Sequence, residues 1–213
     1  YTTLFRSKSI TIPAGEYKIT RKIKSFKIIF RSCTNQLIMD QNKKRLFEKD
    51  KNEYTFRSLN SLLKSTIEAK KKFNNINFEI IVTDTNSDEK DLNQIKKILS
   101  KYEIYSKLIS VNPADYKEKI IGKYSEAKFA NMANLYNSLI LAKNEKNDLI
   151  YFVEDDYVHT KISILEMLFS YEKFSSIFKN EIFILPADYP YLYSKNNHTK
   201  IFLGNKTHWR LVN

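Results

Sequence analysis

The sequence predicts an α/β protein, a mainly parallel β-sheet with helices on both faces. Three observations predict it. β-Rich apolar runs alternate along the chain with longer segments whose apolar residues recur at helical spacing, the pattern of repeated βαβ units. The length of 213 residues suits one substantial domain better than two. The apolar fraction of 42%, with 14 Phe and 14 Tyr, is enough to build a core, so disorder is not the default reading.

The elements follow in order. Residues 1–7, "YTTLFRS", start without Met and read as adapter-derived, non-native sequence to be set aside; residues 8–26 read as a hairpin or an upstream remnant. The domain proper is expected over 27–213, with its C-terminus missing beyond Asn213, because the chain stops inside a strand-like segment. "FKIIFRSC" (26–33) is the first strand. Helix 54–73 follows, with Phe56, Leu59, Leu62, Leu63, Thr66 and Ile67 on one face. "FEIIVTD" (78–84) is a buried strand, and helix 88–102 opens on acids and aligns Leu92, Ile95, Ile98 and Leu99. "KLISVN" (107–112) is a third strand, stopped by Pro113. Helix 125–143, with Ser125 as cap, leads to the strand "LIYFVED" (149–155). A helix over 161–176, a fifth strand "EIFILPAD" (181–188) and a sixth over 200–212 complete the reading.

The formal charge of +12 comes from 30 Lys and 6 Arg spread along the chain, which reads as a solvated lysine surface. Nucleic acid is not the expected partner; peripheral contact with an anionic membrane fits the charge. One cysteine, Cys33, allows no internal disulfide and suits a reducing compartment. No window approaches the roughly 20 apolar residues of a membrane span. The expected location is the cytoplasm, or the inner face of the membrane.

The two phosphate-cradling glycine motifs are absent, and the chain has only 3 Gly. Chemistry is expected at the strand ends instead. In open parallel sheets ligands bind beyond the carboxyl ends of the strands. Asp84 closes the second strand, Asp188 the fifth, and Glu154, Asp155 and Asp156 crowd the end of the most apolar one. Crowded carboxylates repel unless a proton or a cation joins them. A hard divalent ion, Mg²⁺ or Mn²⁺, takes one or two carboxylates and leaves its other positions to phosphates and water. The competing reading lets these acids merely leave the core, with Asp156 or Thr160 capping the next helix.

The order of "IIFRSCTN" (28–35), "IIVTDTNSDE" (80–89) and "NMANLYNSLILAKNEKNDLIYFVEDD" (131–156) resembles the GT-A glycosyltransferases, family 2. Glu154-Asp155-Asp156 stands in the place of their DxD motif, with Glu for the first Asp. The resemblance implies a GT-A, Rossmann-like fold and transfer of a sugar from a nucleotide diphosphate, with UDP the expected nucleotide and Mn²⁺ or Mg²⁺ as cofactor. The acceptor it implies is a glycan or a lipid-linked molecule. Asp84 would contact the base, with Ser32 and Thr34 lining its pocket. Asp156 would be the principal metal ligand, Glu154 would reach metal or ribose, and Asp155, Asn134 and Asn137 would face the nucleotide. His208 would be a third metal ligand, and Arg210 would touch phosphate.

An inverting transferase also needs an acid as general base near the acceptor hydroxyl. Asp188 is the candidate within the chain, its alternative role being to start the Asp188-Tyr189-Pro190 turn. The resemblance implies a base well downstream of the DxD place, which puts the true base beyond Asn213. Tyr189, Tyr191 and Tyr193 offer faces for a sugar. The rival reading is a non-catalytic carbohydrate- or protein-binding module on the same fold.

Overall fold

The computed structural model describes residues 17–35, 49–144, 146–187 and 200–211. Four parallel strands form one sheet in the order β3-β2-β1-β4: β1 (Ser25–Ser32), β2 (Asn77–Asp84), β3 (Tyr105–Ser110) and β4 (Leu149–Glu154). Four helices flank it: α1 (Lys51–Lys72), α2 (Glu89–Leu99), α3 (Glu126–Asn144) and α4 (Ser163–Phe178). A short 3-10 turn at Pro113–Tyr116 follows β3, where Pro113 was expected to end the strand. This is an α/β architecture of Rossmann-like kind.

The two-residue period of the strands sorts the layers. Phe26, Ile28 and Phe30 of β1, with Ile80 and Val82 of β2, point into a core built with α1, α2 and α4. Leu59, Leu62 and Leu63 of α1, Ile95 and Ile98 of α2, and Ile164 and Leu168 of α4 complete that core at the i, i+3/i+4 spacing read from the sequence. The opposite face carries Ile29, Ile81 and Thr83 and is covered by α3, whose Ala133 is fully buried and whose Ser138 hydroxyl meets that of Thr83 at 3.3 Å. Lys27 shares this second face. It is wholly buried, which its charge permits only because the Glu79 carboxylate lies 2.9 Å from its ammonium.

Register sets up the edge that matters. β1 pairs β2 with Ser32 opposite Asp84, and β1 pairs β4 with Arg31 opposite Glu154. The ends of three adjacent strands therefore finish level with one another. The strand order turns back at β1/β4, where doubly wound sheets place their ligand crevice.

Three expectations are corrected. Residues 17–24 hold no hairpin strand; they strap across α4, with the amides of Thr20 and Arg21 donating to the Ser176 hydroxyl at 3.0 Å. Residues 8–16 lie outside the described residues. The segment 200–211 is not one strand but a small antiparallel hairpin, β5 (Ile201–Leu203) and β6 (His208–Arg210), turning at Gly204-Asn205. The last two residues, Val212 and Asn213, lie outside the described residues.

The third correction concerns the expected fifth strand. Glu181–Ala187 is irregular and makes no ladder with β4. Ile182 and Ile184 pack on the core while Phe183 and Leu185 face outward, so the alternation is real. The pairing fails for a topological reason. α1 and α3 carry the chain in opposite directions across the sheet and lie on opposite faces, so their crossovers have the same hand. α4 packs beside α1, as the hydrogen bonds from Ile164 N to Ser65 Oγ (3.0 Å) and from His159 N to Ser61 Oγ (2.9 Å) show. A parallel strand outside β4 reached through α4 would need a crossover of the opposite hand, which is seen in about 2% of cases.

Candidate functional site at the carboxyl edge of the sheet

The predicted acids of β2 and β4 arrive at the same edge, but they have different surroundings. Asp84, at the end of β2, is 1% exposed. Its Oδ2 accepts from Ser32 Oγ and Ser87 Oγ, each at 2.6 Å, and its Oδ1 from Ser87 N at 3.2 Å. Burial raises its carboxyl above the ordinary range; the Ser32 and Ser87 donors pull it back, and nearby Asp155 adds to the rise. Ser87 also accepts from Thr34 N at 2.9 Å, so Asp84, Ser32, Thr34 and Ser87 form one lacing of the β1 and β2 ends.

Asp155 is 7% exposed and turns the other way, toward α1. It accepts from Lys51 Nζ, from Thr55 Oγ1 at 2.8 Å and from Cys33 N at 3.2 Å. This follows from the path of the chain. After β4 the backbone crosses onto the α1 face, where Ser58 Oγ donates to Tyr157 O at 2.6 Å, and Asp155 is carried against the first turn of α1. The neighbouring Cys33 thiol is pushed up to about 11 by its own burial.

Glu154 points to the α3 side. It pairs with Arg31, which also donates to Asn131 Oδ1 at 3.3 Å, and its side chain remains 51% exposed. Asp156 is exposed and has no hydrogen-bond or ion-pair partner among the described residues. Glu154 and Asp156 are thus the two acids of the motif that solvent or a ligand reaches. Two accessible carboxylates, with further positions left for phosphate oxygens and water, match the donor set of a hard divalent ion. Among the described residues no three His, Cys, Asp or Glu side chains converge on a metal-sized point.

Of the asparagines, Asn134 belongs to the edge. It is 2% exposed, its amide donates to Thr83 O (3.0 Å) and Ser32 O (3.3 Å), and its Oδ1 is buried without a partner. The Thr34 hydroxyl is likewise buried and has no partner among the described residues. Asn137 instead accepts from the Tyr116 hydroxyl at 2.8 Å, within the packing of α3 on the Pro113–Tyr116 turn. His208 sits on the exposed hairpin, beside the start of α4 and apart from Glu154 and Asp156. The expectations for the general base fall outside the described residues: Asp188 and the tyrosines at 189, 191 and 193 lie there, and so does Asn213, beyond which the true base was expected.

Sequence reasoning missed Lys51, Thr55, Arg31, Asn131 and Ser87. Ser87 had a signal, since Asp84-x-x-Ser87 is the spacing at which a carboxylate caps a turn. Lys51 and Thr55 had none: they are joined to Asp155 only by tertiary folding.

A groove of about 300 Å³ opens from this edge along the unpaired side of β4, lined by Arg31, Phe152, Glu154, Val158, Leu185 and Pro186. The site is thus a carboxyl-edge acidic cluster on a Rossmann-like sheet, with a partly apolar trough leading away from it. No protein-family model matches the chain, and no curated protein is detectably similar to it.

Proposed function

We propose that this chain carries the donor half of a GT-A-type glycosyltransferase, moving a sugar from a nucleotide diphosphate onto a glycan or lipid-linked acceptor. One observation carries the reading: the acids that follow β2 and β4 collect at the edge where the strand order reverses, and near Asp84 the residues Thr34 and Asn134 hold buried polar atoms with no partner among the described residues. Buried polar atoms without partners are costly, and a nucleoside that opened this edge would supply the hydrogen bonds they lack. In this reading Ser32, Thr34, Asp84 and Asn134 frame the nucleoside. Asp84 and Asp155 act mainly by holding the β1, β2 and α1 ends in place, because their oxygens are already occupied by Ser32, Ser87, Lys51 and Thr55.

Lys51 and Arg31 are both committed to acids of the edge, so an incoming diphosphate meets no spare cation from them. A divalent ion, Mn²⁺ or Mg²⁺, held by Asp156 and Glu154 would supply the Lewis acid that neutralises the leaving diphosphate. Arg31 then sits where it can exchange Glu154 for a phosphate oxygen. The general base is assigned to none of the described residues, and the role proposed for Asp188 rests on its place in the sequence. The wide lysine surface is compatible with working against an anionic membrane; among the described residues, no helix is long and apolar enough to cross one.

The second reading, a binding module without transfer, draws on the saturation of Asp84 and Asp155 by chain partners. Thermal melts separate the two. UDP, GDP, CDP and dTDP are scanned with and without Mn²⁺ against the wild type and Asp156→Asn. A ligand at a hundred times its dissociation constant adds about 2.7 kcal/mol of stability. A metal-dependent rise for one nucleotide, lost in Asp156→Asn, is the expected result. A cooperative wild-type melt that no nucleotide moves would leave the binding module.

A further inference from the structure

A second cavity of about 490 Å³ adjoins the trough beside β4, and the two share Ser163, Met167, Leu185, Pro186 and Ala187. Its far wall is the β5–β6 hairpin, which contributes Lys206, Thr207, His208, Trp209 and Arg210. We propose that this cavity binds an anionic group of the sugar acceptor, a phosphate or a sugar carboxylate. The assignment to an acceptor rests on the transferase reading above.

Charge supports the choice of an anion. Glu166 is the one acid among the described lining residues, and it stands against Lys206 and Arg210, which leaves positive charge in excess. It accepts from Asn205 N (2.8 Å), Lys206 N (3.0 Å) and Thr207 Oγ1 (3.0 Å), so it anchors the hairpin that carries the cations. Lys206 and His208 have no side-chain partner among the described residues. The indole N–H of Trp209 is buried and unpaired. The hydroxyls of Thr160 and Ser163 are 2.8 Å apart; one donates to the other, and the pair adds one more donor to the opposite wall. The ammonium and one hydroxyl have hydrogens to give, and the indole N–H is a further, buried donor. A phosphate or carboxylate accepts several at once, and charge-assisted bonds to it are the strong ones. A neutral hydroxyl group would leave most of them unused.

Polarity along the trough gives the direction. One end carries Glu154, paired with Arg31, and the other carries Lys206 and Arg210, so the excess of positive charge lies at the hairpin. An anion is therefore better placed at the hairpin than beside the half-exposed Glu154, so the far end of the acceptor, with the hydroxyl to be glycosylated, is directed toward the donor edge. Complementary charge acts here on register and specificity. The apolar floor of Met167, Leu185 and Pro186 accommodates the body of the molecule between them.

Trp209 is the only tryptophan in the chain, which provides a reporter inside the cavity. The ¹⁵N-labelled chain is titrated with inorganic phosphate, glucuronate and glucose while the indole N–H resonance is followed. The expected result is a saturable shift with phosphate or glucuronate and none with glucose. Lys206→Met, a surface change that leaves the core intact, is expected to weaken the effective anion about tenfold, the scale of one charge-assisted contact. Binding of phosphate alone points to a phosphate-linked acceptor, binding of glucuronate alone to an acidic sugar. No saturable shift with either anion, a shift that Lys206→Met leaves unchanged, or an equal response to glucose overturns the proposal. Nucleotide melts report on the donor edge independently. A chain that binds a nucleotide diphosphate but shows no anion shift keeps the transferase reading and loses this one. An anion shift in a chain that binds no nucleotide overturns the assignment to an acceptor.

Discussion

Replacing Lys51 with Met tests whether Asp155 is a structural tie or a ligand contact. Both side chains of the pair are largely buried, with 17% of Lys51 and 10% of Asp155 exposed. Removing one partner of a fully buried ion pair costs about 3–5 kcal/mol, because the remaining charge is stranded. Asp155 would keep two of its three donors, Thr55 Oγ1 and Cys33 N. Water also reaches the site in part, and the expected loss falls to about 2–3 kcal/mol. Urea unfolding of Lys51→Met, Asp155→Asn and the double variant measures it. Partners in contact should couple, so the double variant should lose about 1–2 kcal/mol less than the sum of the single losses. Arg31→Met is the internal comparison. Glu154 is half-exposed and rehydrates when Arg31 is removed, so that loss should stay near 1 kcal/mol or below. A Lys51→Met loss under about 0.5 kcal/mol, or additive single losses, would refute the reasoning and return Asp155 to the set of ligand contacts.

Two further outcomes follow from groups outside the edge. His159 is depressed from 6.5 to about 4 by burial, so the folded chain holds it neutral while the unfolded chain protonates below about pH 6.5. Stability is therefore level above that pH, falls as pH drops toward about 4, and is level again below; the His159 share is at most about 3 kcal/mol. Urea midpoints across that window, compared with His159→Gln, isolate this share, and an unchanged pH slope in the variant would contradict it. Gly204→Ala should release the hairpin, because a Cβ there lands on the Glu166 carboxylate with Ser170 Oγ 2.7 Å and Trp209 Nε1 2.9 Å away. The expected cost is about 1–3 kcal/mol of overpacking, with a red-shifted Trp209 emission before global unfolding; wild-type emission and melting would show that the turn adapts.

What the sequence made legible was local or periodic. β1, β2 and β4 were readable within two residues because Phe26–Phe30, Phe78–Val82 and Leu149–Val153 are largely apolar runs of strand length, and the acids that follow β2 and β4 sit where those runs stop. The hairpin was legible in principle, since Gly204-Asn205 is a turn signal inside the supposed sixth strand. Glu181–Ala187 could not have been judged from its own residues. Its alternation satisfies every local rule for a strand, and only the docking of α4 beside α1 forbids the parallel pairing.

The same distinction governs the site. Residue type and position brought Asp84, Glu154, Asp155 and Asp156 to one edge, but which of them face a ligand is decided by partners far away in the chain. Asp155 meets Lys51 across 104 residues, and Glu154 meets Arg31 across 123. Adjacent acids on one strand thereby acquire opposite roles: Asp155 secures α1 to the sheet, while Asp156, one residue on, remains open. An acid-x-acid pattern at a strand end therefore specifies where a cation-binding edge can form. The counter-ions contributed by the helix after β1 and by β1 itself determine which carboxylates are left to form it. A substitution at Lys51 or Arg31 should change the chemistry of this edge as surely as one at Asp156.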